Sequence, residues 1–212
     1  MVLITDIRPF RRTKLFEVFS ETGSEFLANE KFLTEQGISL HESFDDEEFE
    51  LIRARAHLID GIRKSVDILS RKDYSKKELH RKLCDKGIPE DAAHGAVSYM
   101  ESRGYIDDTR YAKRLAELAQ QSYGKQRAEQ ILYHHGIDRE TTREVLDEVF
   151  DGSNAETERL EEHLAHAVKG KDLSDPATRN KIFAKMARLG YSASAISGAL
   201  ARYRQAREDD NL

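Results

Sequence analysis

One cysteine, Cys84, stands among the 212 residues, so no disulfide can close within the chain, and a reducing cytoplasm is the expected setting. No apolar run approaches the roughly 18 residues that a membrane-spanning helix needs, and no membrane partner is expected. The opening residues, with Asp6 early and Arg8, Arg11 and Arg12 behind it, lack the basic-then-apolar order of a signal peptide. Catalytic signatures are missing as well: there is no phosphate loop, no Gly-x-Ser-x-Gly, no His-Glu-x-x-His and no glycine-rich cofactor fingerprint. Neither an enzyme nor a cofactor is expected on those grounds. Cys84 has no sequence pattern that pairs it with an activating base, and it reads as a structural thiol. His134 and His135 are consecutive, which turns them about 100° apart on a helix. Their i+4 positions, Asp138 and Arg139, add no further metal ligand, so a surface or helix-end role is expected. A uniformly basic surface is also lacking, since the net charge is −5; that excludes a generally basic nucleic-acid binder.

What the chain does have is a repeat. Around Gly87, the residues Tyr74, Leu79, Leu83, Ile88, Val97 and Met100 fall at −13, −8, −4, +1, +10 and +13. The same offsets from Gly136 give Tyr123, Ala128, Leu132, Ile137, Leu146 and Val149, and from Gly190 they give Ala177, Ile182, Met186, Tyr191, Leu200 and Tyr203. Three tandem units of about 50 residues follow from this spacing. Within each, the −8 and −4 residues share one face of a helix. The glycine sits where that helix stops, because only glycine enters the left-handed region without steric cost. A second helix then carries +10 and +13. Ser75 and Glu78 have capping-box spacing, and Pro89 and Asp138 stand where the following helices begin. Asp107 and Asp108 read as a helix start opposing its dipole rather than an acid–base pair. Small modules with thin cores also suit a composition of 39% apolar and 34% charged residues.

The first 44 residues differ. Val2 to Ile7 alternate up to Pro9, Leu15 to Phe19 alternate again, and Gly23 precedes a third run from Glu25 to Ala28. A small antiparallel meander is expected, too small to stand alone and so packed on a helix or a partner, with Phe10, Phe16, Phe19, Phe26 and Phe32 as its core. From Ser43, read as a cap, the pattern turns helical through Phe49, Ile52, Ala56 and Ile59. Gly61 reads as a break, after which Ile62, Val66 and Leu69 line one side of the next helix.

Charge is unevenly spread. Between Arg63 and Lys86 lie nine basic residues, among them Arg71, Lys72, Lys76, Lys77, Arg81, Lys82 and Lys86, against four acids. From Asp138 to Glu162 acids dominate, with Asp147, Glu148, Asp151, Glu156, Glu158, Glu161 and Glu162, and Glu208, Asp209 and Asp210 follow near the end. Such a basic segment can meet phosphates or an acidic protein surface. From charge alone, a solvated helix face explains it equally well.

The run Leu69-Ser70-Arg71-Lys72-Asp73-Tyr74-Ser75-Lys76-Lys77-Glu78-Leu79, then Lys82-Leu83 and Lys86-Gly87-Ile88, resembles the bacterial RecX family. So do Gly104-Tyr105-Ile106-Asp107-Asp108 and Arg110-Tyr111-Ala112, and the second repeat is similar through Gly124, Ile131, Leu132, Gly136 and Ile137. The likeness is looser in the third unit, and the meander is similar to an extension that some members carry. The fold so implied is mainly α: an elongated tandem array of three-helix, helix-turn-helix-like repeats behind a small N-terminal antiparallel β meander. Expected divisions are 1–44 for the β-rich extension, 45–60 for a linking helix, and 61–107, 108–152 and 153–212 for the repeats.

The resemblance implies a non-enzymatic regulator of the RecA recombinase. Such a protein binds the RecA–single-stranded-DNA filament along its groove and limits filament extension, ATP hydrolysis, strand exchange and co-protease activity. Under it, Arg71, Lys72, Lys76, Lys77, Arg81, Lys82 and Lys86 are the expected contacts to filament or DNA, with Arg110 and Tyr111 as a second choice. The expected partners are the RecA filament and single-stranded DNA, with double-stranded DNA left open, and a monomer is the default. Two other classes remain at this stage: a tandem helix-turn-helix DNA-binding protein without a recombinase partner, and a helical-repeat adaptor for another protein.

Overall fold

Alternation of side chains at the N-terminus produces strands β1 (Val2–Pro9), β2 (Leu15–Ser20) and β3 (Gly23–Asn29), followed by helix α1 (Glu30–Glu35) and a two-residue strand β4 (Ser43–Phe44). The sheet is antiparallel in the order β3-β2-β1-β4. Among the described residues nine further helices follow: α2 (Asp46–Leu69), α3 (Lys76–Cys84), α4 (Glu90–Ser102), α5 (Asp108–Gln120), α6 (Lys125–His134), α7 (Arg139–Phe150), α8 (Ala155–Val168), α9 (Pro176–Arg188) and α10 (Ala193–Asp209). This computed structural model describes residues 1–150 and 155–209, the last three for their backbone alone. Asp151 of the acidic stretch and the carboxylates of Glu208, Asp209 and Asp210 lie outside the described part. The chain is thus mainly α with a small N-terminal sheet, and it divides into two compact units, Met1–Asp107 and Asp108–Leu212.

In the first unit one face of the sheet supplies Ile4, Val18, Phe26 and Ala28 to a core closed by Phe32, Leu33, Ile38, Phe44, Phe49, Ile52 and Ala56. Phe26 is its centre, with its ring 6.3 Å from Phe32 and 6.1 Å from Phe49. Of the expected aromatic core, Phe16 only packs against the edge, while Phe10 and Phe19 lie under the guanidinium groups of Arg11 and Arg8. Phe19 sits outside because the alternation that buries Val18 turns its neighbour away, and Phe10 lies beyond the end of β1. Ser43 is not the helix cap: it pairs in β4 with Leu3, and Asp45 takes the cap position, its carboxylate accepting from the Glu48 N–H at 2.7 Å.

Helix α2 runs through Gly61 without a break. The glycine is buried, and a Cβ there would meet the Ala96 Cβ at 3.1 Å and the Ala92 carbonyl oxygen at 3.5 Å. Glycine is present because α4 crosses α2 closely through Ala92 and Ala96, not because the helix ends. One helix of 24 residues therefore serves two cores. Its first half closes the sheet, and Leu58, Ile62, Ile68 and Leu69 pack with α3 and α4 around Leu79, Leu83, Ile88, Val97, Met100 and Ile106. Ile59 and Val66 are exposed, against expectation; Asp60, Gly61 and Ser65 occupy the inward positions.

The half-buried Glu25 ties sheet to helix. It accepts from the Ser20 hydroxyl, from the Thr22 hydroxyl at 2.6 Å and from the Arg53 guanidinium of α2 at 3.2 Å. Burial pushes this carboxyl up, but those donors and the Arg53 charge more than offset it, leaving the pKa below its ordinary value.

The second unit has two cores. One gathers Ala112, Ala116, Ala128, Leu132, Ile137, Val145 and Leu146 from α5 to α7, and the other Leu160, Leu164, Ile182, Met186, Tyr191, Ile196 and Ala199 from α8 to α10. The repeat is visible in both and in the first unit. Gly87, Gly136 and Gly190 have φ of +80°, +80° and +91°, and the residue after each is buried. The −13 offset fails in the second and third copies: Tyr123 is exposed at the turn before α6. Ala177 is exposed within α9, which starts about a turn earlier than its counterparts because Asp175 caps it and Pro176 opens it. Backbone contact joins α6 to the end of α9: the Gly124 N–H donates to the Leu189 carbonyl at 2.8 Å and the Gln126 N–H to that of Gly190 at 3.2 Å.

Gly87 and Gly190 separate two costs of adding a methyl group. No atom lies within 4 Å of a Cβ built on Gly87, whereas one on Gly190 would stand 2.4 Å from the Arg127 backbone nitrogen. Gly87→Ala is expected to lose about 1–2 kcal/mol from the left-handed backbone alone. Gly190→Ala should lose clearly more, read by urea denaturation of both variants. In the same assay Glu25→Gln should cost about 1–3 kcal/mol near neutral pH. A carboxyl whose folded pKa is depressed stabilises above its unfolded value and loses that contribution as pH falls through the folded value. The deficit of Glu25→Gln should therefore shrink on acidification through that window.

Candidate functional site

Helix α3 and the loop before it carry the basic segment. Ser75 accepts from the Glu78 N–H at 3.1 Å while its own N–H donates to Glu78 Oε2 at 3.2 Å, the reciprocal cap that fixes where the helix starts. With the start fixed, Leu79 and Leu83 fall on the buried face, and Lys77 and Arg81, one turn apart, fall on the exposed one. Among the described residues, Arg71, Lys77, Arg81 and Lys86 form no ion pair; all four are exposed. Their charge is available to an anionic partner.

The remaining lysines are held differently. Lys72 and Lys82 converge on one ring, with their ammonium groups 4.5 and 4.9 Å from the centroid of Tyr74. Cation–π attraction of this kind concentrates two positive charges over a partly buried tyrosine. Lys76 reaches across to Glu101 of α4 at 2.8 Å, which ties the start of α3 to the end of α4. Next to Glu101, Arg103 lies over the exposed ring of Tyr99, 5.2 Å from its centroid. Neither Tyr74 as a meeting point nor the Tyr99–Arg103 pair was expected. A loop residue and a helix residue eight apart carry no periodic signal of contact.

Arg110 is exposed on α5, but Tyr111 is not a surface residue. Its ring belongs to the core of the α5–α7 group, and its hydroxyl lies 3.2 Å from His135 Nδ1. One residue along a helix is a rotation of about 100°, enough to take Tyr111 inside while its neighbour stays out. His135 is thereby accounted for as the partner of a buried tyrosine. Cys84 is partly buried, with His80 one turn before it and Sγ 3.9 Å from Nδ1.

Acids of the 138–162 stretch are largely engaged within the second unit. Asp138 caps α7, accepting from the Thr141 N–H at 2.9 Å and its hydroxyl at 2.7 Å, and these bonds hold its pKa below the ordinary value. Asp147 pairs with Lys125 at 2.7 Å, which lowers its pKa as well; Glu148 pairs with Lys113, and Glu161 with Arg202 at 2.8 Å. Glu156 accepts from the Lys125 N–H at 3.0 Å. Among the described residues no group of three or more His, Cys, Asp or Glu is placed to hold a metal ion, and no helix is long and apolar enough to cross a membrane.

Comparison with known proteins points to one family. The family profile described as RecX, first three-helix domain, matches residues 62–100, the segment that contains α3 and most of α4. A protein named Regulatory protein RecX from Xanthomonas axonopodis pv. citri is 31% identical over 139 residues, covering 65% of this chain and 84% of its own. One of the same name from Stenotrophomonas maltophilia is also 31% identical over 139 residues, covering 65% and 83%. Two crystal structures share the fold. One, of regulatory protein RecX, has a TM-score of 0.65 at 16% identity, with 93% of this chain and 98% of that chain covered. The other, of RecX from Lactobacillus salivarius, has a TM-score of 0.59 at 20% identity, with 69% and 96% covered.

Available charge has a measurable consequence. If Lys77 and Arg81 each neutralise one phosphate, Lys77→Gln/Arg81→Gln should flatten the slope of log affinity against log salt by about 1.4 on a single-stranded oligonucleotide. Fluorescence anisotropy across a salt series gives that slope, and an unchanged one would remove the pair from the contact.

Proposed function

Since the chain belongs to the RecX family of regulatory proteins, we propose that it binds the RecA–single-stranded-DNA filament and limits filament extension, ATP hydrolysis, strand exchange and co-protease activity. The observation that supports this best is the exposed basic face of α3, inside the segment that matches the family's first domain. Arg71, Lys77, Arg81 and Lys86 are the direct contacts in this reading. Lys72 and Lys82 present charge through Tyr74, Lys76 stands at the edge beside Glu101, and Arg110 is a contact from α5. Tyr111 has no part in it, because it is buried.

A chain of separately cored helical groups suits a partner that repeats. Each group can make a weak contact with a different protomer, and the contacts sum because the first raises the effective concentration of the next. A molecule bound in this way blocks addition beyond itself without chemistry of its own. The protein acts as a monomer and needs no cofactor under this proposal.

The same basic face would also serve a plain DNA-binding protein, so the test must separate the two. With RecA assembled on labelled single-stranded DNA and a non-hydrolysable ATP analogue, Lys77→Glu/Arg81→Glu should bind the filament more than about tenfold more weakly than the wild type, since charge reversal adds repulsion to the lost attraction. Its helix content by circular dichroism should be unchanged. Equal filament affinity of the two proteins would overturn the assignment of α3. Tighter binding to bare DNA than to the filament would favour the plain DNA-binding reading.

A further inference from the structure

The same turn ends α1, α3, α4, α6 and α9. Gly37, Gly87, Gly104, Gly136 and Gly190 have φ of +66°, +80°, +73°, +80° and +91°. After each, the next N–H donates back along the helix: Ile38 to Leu33 at 2.9 Å, Ile88 to Leu83 at 3.1 Å, Tyr105 to Met100 at 2.9 Å, Ile137 to Leu132 at 3.1 Å and Tyr191 to Met186 at 3.4 Å. A residue fixed this way ordinarily folds its apolar side chain against the helix it has just left. Ile38, Ile88, Ile137 and Tyr191 do so, none more than 6% exposed. Tyr105 is 64% exposed. Its backbone is pinned by the same bond as the others, yet its ring is turned to solvent.

The same end of α4 carries a basic and aromatic pair. Tyr99, 40% exposed, carries the Arg103 guanidinium over its face, and the neighbouring Glu101 is taken by Lys76 of α3. Asp107 and Asp108, which follow Tyr105 in the chain, have partners of their own. An anchored aromatic ring thus stands at the end of α4 that adjoins the start of the basic helix. Tyrosine has only two side-chain torsions to fix on binding, so such a ring gives up little entropy to a flat partner.

We propose that Tyr105, with the Tyr99–Arg103 pair, is a stacking platform for unpaired bases, placed beside the phosphate-binding face of α3 so that this segment takes single-stranded DNA in preference to duplex. The proposal rests on the nucleic-acid contact in the function proposed above and gives it a strand preference. Aromatic side chains beside a basic groove stack on unpaired bases irrespective of sequence, whereas in a duplex the base faces are already covered by their neighbours. Lysine and arginine alone attract both forms; the exposed ring supplies the difference.

The test uses the full chain and two labelled probes of equal phosphate number, an oligo(dT) strand and a hairpin duplex. Tyr105→Ala should weaken oligo(dT) binding by between about fivefold and about a hundredfold. Duplex affinity and the salt slope should stay as in the wild type, because no phosphate contact is lost. Tyr105→Phe should restore oligo(dT) binding, since the ring and not the hydroxyl stacks, and Tyr99→Ala should give a smaller loss in the same direction. Equal loss on strand and duplex would overturn the proposal, as would no loss on either. If wild-type protein bound the RecA filament but Tyr105→Ala lost only that, with oligo(dT) binding intact, the ring would be a protein contact and the stacking platform would be wrong while the regulatory reading stood. If wild-type protein bound neither probe, stacking and the DNA part of the function proposed above would both fall, whereas filament binding would still decide the recombinase part.

Discussion

A glycine in the left-handed region, followed by an N–H that reaches back to the carbonyl five residues before it, closes the middle helix of each three-helix group. A side chain there would cost about 1–2 kcal/mol, which is why glycine holds the place. The bond does more than satisfy a helix end. It carries the next residue underneath the helix just finished, so that Ile88 meets Leu83's core, Ile137 that of Leu132, and Tyr191 that of Met186. Turning the chain at that point also sets the line along which α4, α7 and α10 return. The same three positions must then be apolar, glycine and apolar in every copy, and the repeat in the sequence is the trace of that requirement.

Since the inward positions are filled by aliphatic side chains and alanines, charge is left to the outer faces, and the groups use it differently. In the second unit Asp138, Asp147, Glu148, Glu156 and Glu161 cap helices or pair within the unit. On α3 the cations outnumber nearby acids, and the reciprocal Ser75–Glu78 cap spends the helix's own carboxylate on its first turn. What reaches solvent there is positive charge on a short, firmly capped helix. That arrangement suits recognition of a polyanion by position, with little reorganisation of the protein.

Much of the fold could be read from residue types because burial and backbone geometry demanded the same positions. Leu79 and Leu83, Ala128 and Leu132, and Ile182 and Met186 are all inside, as their spacing implied. Other core positions carried no common signal. Six residues after the glycines stand Ala93, Thr142 and Ile196, and nine after stand Ala96, Val145 and Ala199, all buried, but too varied in size and polarity to align by eye. Gly61 misled because a glycine that admits a crossing helix looks the same in sequence as one that ends a helix. Ala177 misled because α9 gained a turn at its start, and an offset counted from the far end cannot register that. On α3, the shared exposed face of Lys77 and Arg81 was legible from their spacing. Tyr74 as the ring under two lysines, Tyr111 as core and Tyr105 as surface were not, since each depends on which way a residue at a helix end or in a loop is turned.

The regulatory reading stands or falls most directly on single-stranded-DNA-dependent ATP hydrolysis by the cognate RecA protein, with this protein titrated well below one copy per protomer. Action on the filament predicts a marked loss of turnover that extra single-stranded DNA does not rescue, because each bound molecule halts growth beyond itself. A rate that stays flat, or that recovers fully when DNA is added, would contradict it.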